Sequence, residues 1–338
     1  MRIAAVVMEQ YVSGIYRTWI PMQALAYRGH AVHVEERNVV ENPAPLFEAD
    51  VVHFCRCWWG HNERLARRLK ERGIAVVWDN DDDFSTVPAE WPGTESIRGL
   101  NGQRIASSIR SMMRIADVVT TPSEHLAQRY HAASGADVRV LENYLPPTFV
   151  RPARGGMHQG ITLGWHASAE HVSDLEQLRT RETLERLLAR HITLNVVSIG
   201  MDLGLRSHRY TAQPYVLHGE LPEQLSWLDV GIAPLADTEL NRSRSNVKLK
   251  EYAAVGLPWL ASPVGAYAEL GEEQGGHLVA DGDWYRAIEQ FVLDEGDRSR
   301  LAHRARRWAD SERIEANVER WEETFEEAIE RTRSRAVR

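Results

Sequence analysis

The densest concentration of chemically capable side chains is the run Asn241-Arg242-Ser243-Arg244-Ser245-Asn246-Val247-Lys248-Leu249-Lys250-Glu251-Tyr252. Ser245 or Asn246 is placed to cap a helix whose first turn carries Lys248 and Glu251, three positions apart and so neighbours on one face. Gly256 is placed to end it. Cations (Arg242, Arg244, Lys248) and hydroxyls crowded at a helix N-terminus suit a diphosphate, and a carboxylate one turn on suits the two hydroxyls of a ribose. Those are the groups of a nucleotide sugar. The plainer alternative is a capped surface helix with an ordinary Lys–Glu pair. Lysine is rare here, only Lys70, Lys248 and Lys250 among 40 basic residues, which tips Lys248 toward a function.

A second signal is acidic. Asp79-Asn80-Asp81-Asp82-Asp83-Phe84 follows a strand-like run, and four carboxylates so close repel one another. A cation, a basic neighbour or a raised pKa must relieve them. One reading holds a divalent metal there. A second has Asp79 and Asp81 facing a cleft to bind acceptor hydroxyls, one of them as a base, with Asp82 beside them. A third is a solvated acidic turn.

Gly164-Trp165-His166-Ala167-Ser168 also ends a strand, where a glycine and a small hydroxyl let backbone approach an anion; plain turn chemistry is the alternative. His171 and Asp174 follow at helix spacing. No histidine has metal-site spacing. Trp58 and Trp59 are placed to stack on a ring or to pack together. The helix around Arg64, Arg67, Arg68 and Arg72 carries a basic face open to anionic lipid, nucleic acid or water.

Positioning these groups falls to alternating strands and helices. Arg2 to Met8, Ala31 to Glu35, Val51 to Cys55, Ile74 to Trp78, Val118 to Thr121 and Val138 to Leu141 read as one strand series. After a stretch punctuated by Pro152, Gly155, Gly156 and Gly160, a second series runs through Ile161 to Trp165, Thr193 to Ile199, Tyr215 to His218, Val230 to Ala233, Pro258 to Ala261 and His277 to Ala280. Strands alternating with amphipathic helices predict parallel sheets covered on both faces. Two tandem doubly wound, Rossmann-like α/β domains with a cleft between them follow. They span 1–152 and 157–312, and 313–338 forms a long amphipathic helix.

Length agrees: 338 residues, 43% hydrophobic and 26% charged, suit two domains of roughly 150 residues each. No apolar stretch reaches the roughly 18 to 20 residues of a membrane span, and Met1 runs straight toward a strand, so neither signal peptide nor spanning helix is expected. Net charge −8 argues against a chain-wide nucleic-acid surface while permitting a local basic patch. Cys55 and Cys57 are too close to pair comfortably and read as thiols of a reducing, cytoplasmic compartment, with peripheral membrane contact left open.

Several of these segments together resemble GT-B glycosyltransferases of the family 4 type. Ala233 to Ser262, with Asn241, Ser245, Lys248, Glu251-Tyr252 and Gly256-Leu257-Pro258, is similar to the family's donor-binding stretch. Ile161 to Asp174 resembles its first C-terminal strand and phosphate loop, and Tyr215 to Pro234, with His218-Gly219-Glu220-Leu221, its base-binding segment. More loosely, Ser13-Gly14 resembles the glycine loop opening the first helix, and Ala116 to Ser123 with Asn143 the segment before the linker. Two positions depart: the first of a pair of acidic residues falls at Ser243, and a histidine ending the fourth strand is replaced by the Asp79 to Asp83 run, as in a subset of bacterial transferases.

The resemblance implies transfer of a sugar from a nucleotide-diphosphate donor to a hydroxyl acceptor, with retention and without a cofactor or an obligatory divalent metal; the acidic run is then not the D-x-D metal motif of the GT-A class. It implies donor contacts from Gly164, Ser168, His218, Arg242, Arg244, Ser245, Lys248 and Glu251, and catalytic roles for Asp79, Asp81 and Lys248. Ser13, Gly14, Trp59 and Asp82 fall on the acceptor side. The last helix is expected to cross back to the first domain. Acceptors in view are a cell-surface or lipid-linked glycan, a small molecule, a protein, or a modified DNA base of the phage type. A GT-B nucleotide-sugar epimerase and a non-catalytic sugar-binding module are the alternatives. Oligomeric state is left open.

Overall fold

The computed structural model describes residues 1–8, 12–87, 99–150 and 160–336. Two six-stranded parallel sheets account for the two strand series. The first contains β1 (Arg2–Val7), β2 (Ala31–Glu35), β3 (Val51–Cys55), β4 (Ala75–Asp79), β5 (Val118–Thr121) and β6 (Val138–Val140), in the order β2-β1-β3-β4-β5-β6. The second contains β7 (Ile161–His166), β8 (Leu194–Ile199), β9 (Tyr210–Gln213), β10 (Val230–Ala233), β11 (Trp259–Ala261) and β12 (Gly276–Leu278), in the order β12-β11-β10-β7-β8-β9. The tandem doubly wound architecture read from the sequence is therefore present.

Strands such as Val51-Val52-His53-Phe54-Cys55 are buried along their whole length, because helices cover both faces and leave no side of the strand for water. One expected strand is misplaced. Tyr215 to His218 is a loop, with Tyr215 and Leu217 exposed, and the pairing strand is β9, ending just before Pro214. A proline lacks the N–H that a ladder needs.

The limits drawn at 152 and 157, with the Pro152, Gly155 and Gly156 stretch, lie outside the described residues. The last helix, Ile314–Ala336, packs on the first domain: Val318, Trp321 and Phe325 join the core built on Ile3, Ala5 and Val77. Burying an aromatic of this size contributes about 2–3 kcal/mol, so the helix is held to that sheet by its apolar stripe. Among the described residues no helix is long and apolar enough to cross a membrane.

In open parallel sheets the crevice opens beyond the strand carboxyl ends, where the winding direction reverses. Those points lie between β1 and β3 in the first domain and between β7 and β10 in the second. The two crevices face each other.

Candidate active site

A cavity of about 480 Å³ lies where the two crevices meet, within the range that small-ligand sites occupy. Its second-domain wall is cationic. Lys248 projects from the helix Val247–Ala254 and donates to the His166 carbonyl at 2.6 Å, with Nζ 3.2 Å from His171 Nε2. Arg244 Nη1 also lies 3.2 Å from that nitrogen, and Nη2 donates to Glu170 at 2.9 Å. Two cationic donors on Nε2 require its lone pair, so the proton sits on Nδ1, which donates to Asp174 at 2.7 Å. Burial first, then Lys248 and Arg244, hold the His171 pKa well below the usual imidazole value. Asp174 in turn accepts from Asn241 Nδ2 at 2.7 Å and from the Ala236 N–H at 2.9 Å. A neutral, fixed histidine thus aims both cations. Burial, then Arg244, lowers the Lys248 pKa to about 8, as expected for a cation awaiting an anionic partner.

Glu251, one turn along the same helix, is buried at the cavity edge. It makes no ion pair with Lys248. Its Oε1 accepts from the Tyr16 hydroxyl at 2.9 Å, and the Tyr16 oxygen lies 3.0 Å from His218 Nε2. Tyr16 sits in a π turn, Ile15–Trp19, an irregularity frequent at functional sites. Asn246 holds the N-cap position without a capping side-chain bond and donates instead to Glu142; Ser245 accepts from Asn143 Nδ2 at 3.1 Å.

The first-domain wall is acidic. Asp81 and Asp82 line it with Ser13 and Arg56. Arg56 donates to the Ser13 hydroxyl at 2.8 Å and lies 3.6 Å from each carboxylate. Its φ of 55° is a left-handed conformation uncommon outside glycine, which points to a functional constraint at the β3 exit. Burial and then the Asp81 charge raise the Asp82 pKa to about 7, with Arg56 opposing them.

Six expected site residues do not line the cavity. Asp79 does not face the cleft: it is fully buried, accepting from Arg17 Nε at 3.1 Å, Arg17 Nη2 at 2.6 Å and the Thr120 hydroxyl at 2.6 Å. Taking two ions from water costs several kcal/mol each, and this fork of donors is what offsets it. Gly164 lies inside β7 rather than in an anion loop; a Cβ there would meet the Leu228 side chain at 2.2 Å, so its role is close packing beside Gly231 of β10. Arg242 turns outward to Asp237 and Glu239. Trp59 stacks on Trp58 at 5.0 Å and on His61, away from the cavity.

Gly14 is buried in the turn behind Ser13 and does not line the cavity; His218 stands behind Tyr16 rather than on its wall. Ser168, Arg244, Ser245, Lys248 and Glu251 do line it, opposite Ser13, Asp81 and Asp82. Sequence reasoning missed Arg56 and Tyr16. Arg56 had one available signal, its place just past a strand; Tyr16 had none.

Among the described residues only His53, Cys55 and Asp79 could together hold a metal ion. They fit one poorly, because the carboxylate is engaged by Arg17 and Thr120. Cys55 and Cys57 are free, buried thiols.

No protein-family model matches the sequence and no curated protein matches it. Solved structures do. The chain is similar to sucrose-phosphate synthase from Thermosynechococcus elongatus, at 15% identity over 96% of this chain and 98% of that one, TM-score 0.67. It is similar to Anabaena HepE in complex with UDP, at 13% identity over 96% and 100%, TM-score 0.68, and to a glycosyltransferase from Rickettsia africae, at 12% identity over 97% and 98%, TM-score 0.68. HepE has also been solved with UDP-glucose. Identities this low establish the fold, which is the two-domain GT-B fold.

Proposed function

We propose that the protein is a glycosyltransferase that takes a sugar from a nucleoside-diphosphate donor and places it on a hydroxyl acceptor. The observation that carries this reading is the convergence of Lys248 and Arg244, aimed by neutral His171, on one wall of the cavity opposite Asp81 and Asp82. UDP and UDP-glucose in the HepE complexes support a uridine donor of the hexose type.

The diphosphate lies against Lys248, Arg244, Ser168 and Ser245, and the ribose hydroxyls reach Glu251. As the bond between the anomeric carbon and the diphosphate oxygen breaks, its electron pair goes to that oxygen. Lys248 and Arg244 neutralise the charge where it develops. Positive charge held by side chains makes turnover independent of a divalent metal. The acceptor oxygen adds to the face of the anomeric carbon that the diphosphate leaves, so configuration is retained; the acceptor proton passes to the departing oxygen. Asp81 and Asp82 orient the acceptor hydroxyl and Arg56 fixes the pair. Glycan hydroxyls are the acceptor class this wall suits, since adjacent carboxylates bind sugar hydroxyls well.

Product analysis tests this. Incubation with the preferred UDP-hexose and candidate acceptors should release UDP and give a product whose anomeric coupling constant matches the donor. Conversion of the sugar without nucleotide release, or binding without turnover, would count against it.

A further inference from the structure

The polypeptide crosses between the domains twice. The first crossing leaves β6 through Glu142 and Asn143; the second is Glu312 and Arg313, just before the last helix. They run side by side: the Leu145 N–H donates to the Glu312 carbonyl at 2.9 Å, and the Ile314 N–H to the Leu145 carbonyl at 2.9 Å. Into this junction projects Lys250, from the helix that also carries Lys248 and Glu251. Its side chain is fully buried. Nζ is 2.6 Å from Glu312 Oε2, 2.8 Å from Glu142 Oε2 and 3.1 Å from the Asn143 carbonyl, with the Tyr144 ring centroid at 4.9 Å. The ammonium donates to two acceptors on the first crossing and pairs its charge with the Glu312 carboxylate on the second.

Asn143 extends the connection. Its Oδ1 accepts from Arg17 Nη1 at 3.0 Å and its Nδ2 donates to Ser245 Oγ at 3.1 Å. Arg17 is the partner of Asp79, which immediately precedes the turn bearing Asp81 and Asp82. A continuous buried polar line therefore runs from the acidic wall, through Asp79, Arg17 and Asn143, to Lys250 on the helix of the cationic wall.

We propose that Lys250 is a positioning residue: by clamping both interdomain crossings to that helix, it fixes the angle at which the acidic and cationic walls face each other. The proposal rests on the glycosyltransferase reading for its kinetic consequences and on geometry alone for its mechanical one. A compact, rotatable cation suits three acceptors around one point better than a planar guanidinium, which accounts for a lysine in a chain so rich in arginine.

Two variants test it. Lys250→Met removes the clamp; Lys250→Met with Glu142→Gln and Glu312→Gln removes it together with the carboxylates left behind. In Lys250→Met, UDP affinity should stay within about threefold of the parent, because the donor site lies in one domain. Its kcat should fall at least tenfold with donor KM nearly unchanged, and small-angle scattering should show a broader distribution of interdomain distances. The triple variant should recover the parent's melting temperature yet keep the low kcat. A parental kcat in Lys250→Met, or a triple variant that recovers both quantities, overturns the proposal. If the parent binds no nucleotide, the functional reading fails; scattering then decides, broadening supporting the clamp and an unchanged distribution overturning it.

Discussion

The Tyr16 hydroxyl of the first domain donates to the Glu251 carboxylate of the second at 2.9 Å, with His218 behind it. Burial pushes the Glu251 pKa up, but His166, His218 and the Tyr16 donor outweigh it and hold the carboxyl below its ordinary value. Glu251 is therefore ionised at neutral pH and able to accept from a ribose diol. Glu251→Gln should weaken UDP binding by tenfold or more, since hydrogen bonds to a charged group contribute about 1.5–3 kcal/mol. Titration calorimetry giving equal affinities would remove Glu251 from the donor site.

The lowered pKa of Lys248 fixes a direction for pH dependence. With the free protein titrating near 8, the ammonium fraction falls as pH rises through that value, and a bound diphosphate draws the proton back. UDP affinity should decline from about pH 7 to about pH 9, with net proton uptake on binding above pH 8. Calorimetry in buffers of different ionisation enthalpy reads the uptake directly. Affinity that stays flat over that window, without uptake, would mean Lys248 does not meet the phosphates.

Asp82 titrates near neutrality because burial and Asp81 raise it to about 7. As pH rises through that region the pair becomes fully ionised and better able to accept from a sugar hydroxyl. Turnover should rise on that limb as a macroscopic property of the pair. Asp82→Asn should abolish the limb and lower kcat at least tenfold, leaving UDP affinity unchanged. A variant with the parental profile would return this wall to a solvated turn.

Asp79 and Arg17 form a pair with both side chains fully buried. Asp79→Asn leaves the guanidinium without its counter-charge, and breaking such a pair costs about 3–5 kcal/mol. The midpoint of urea unfolding should fall accordingly, while the variant protein that remains folded still binds UDP. A stable Asp79→Asn protein with lost turnover would instead place this carboxylate in the chemistry.

The fold and the cationic wall were legible because their signals are local. Strand periodicity is written within a few residues, and a lysine at helix spacing from a glutamate carries its own geometry. The acidic run was legible in kind but not in detail: Asp79 and Asp81 look equivalent in sequence, and only Arg17, 62 positions earlier, separates the fully buried one from the one that lines the cavity. Gly164 misled for the same reason, since the Leu228 side chain that demands a glycine is supplied from elsewhere in the chain. Tyr16 and Lys250 owe their places to contacts across the domain boundary, which no local pattern encodes.

A thermal-shift panel of UDP-, GDP-, ADP- and TDP-sugars, run in EDTA on the parent and on Lys248→Ala, tests the phosphate-binding wall most directly, because a ligand that binds only the folded state raises its melting temperature. The parent should shift with at least one donor despite the chelator, and Lys248→Ala should not. A Lys248→Ala protein that shifts like the parent, or a parent that responds only after manganese is restored, would contradict the assignment.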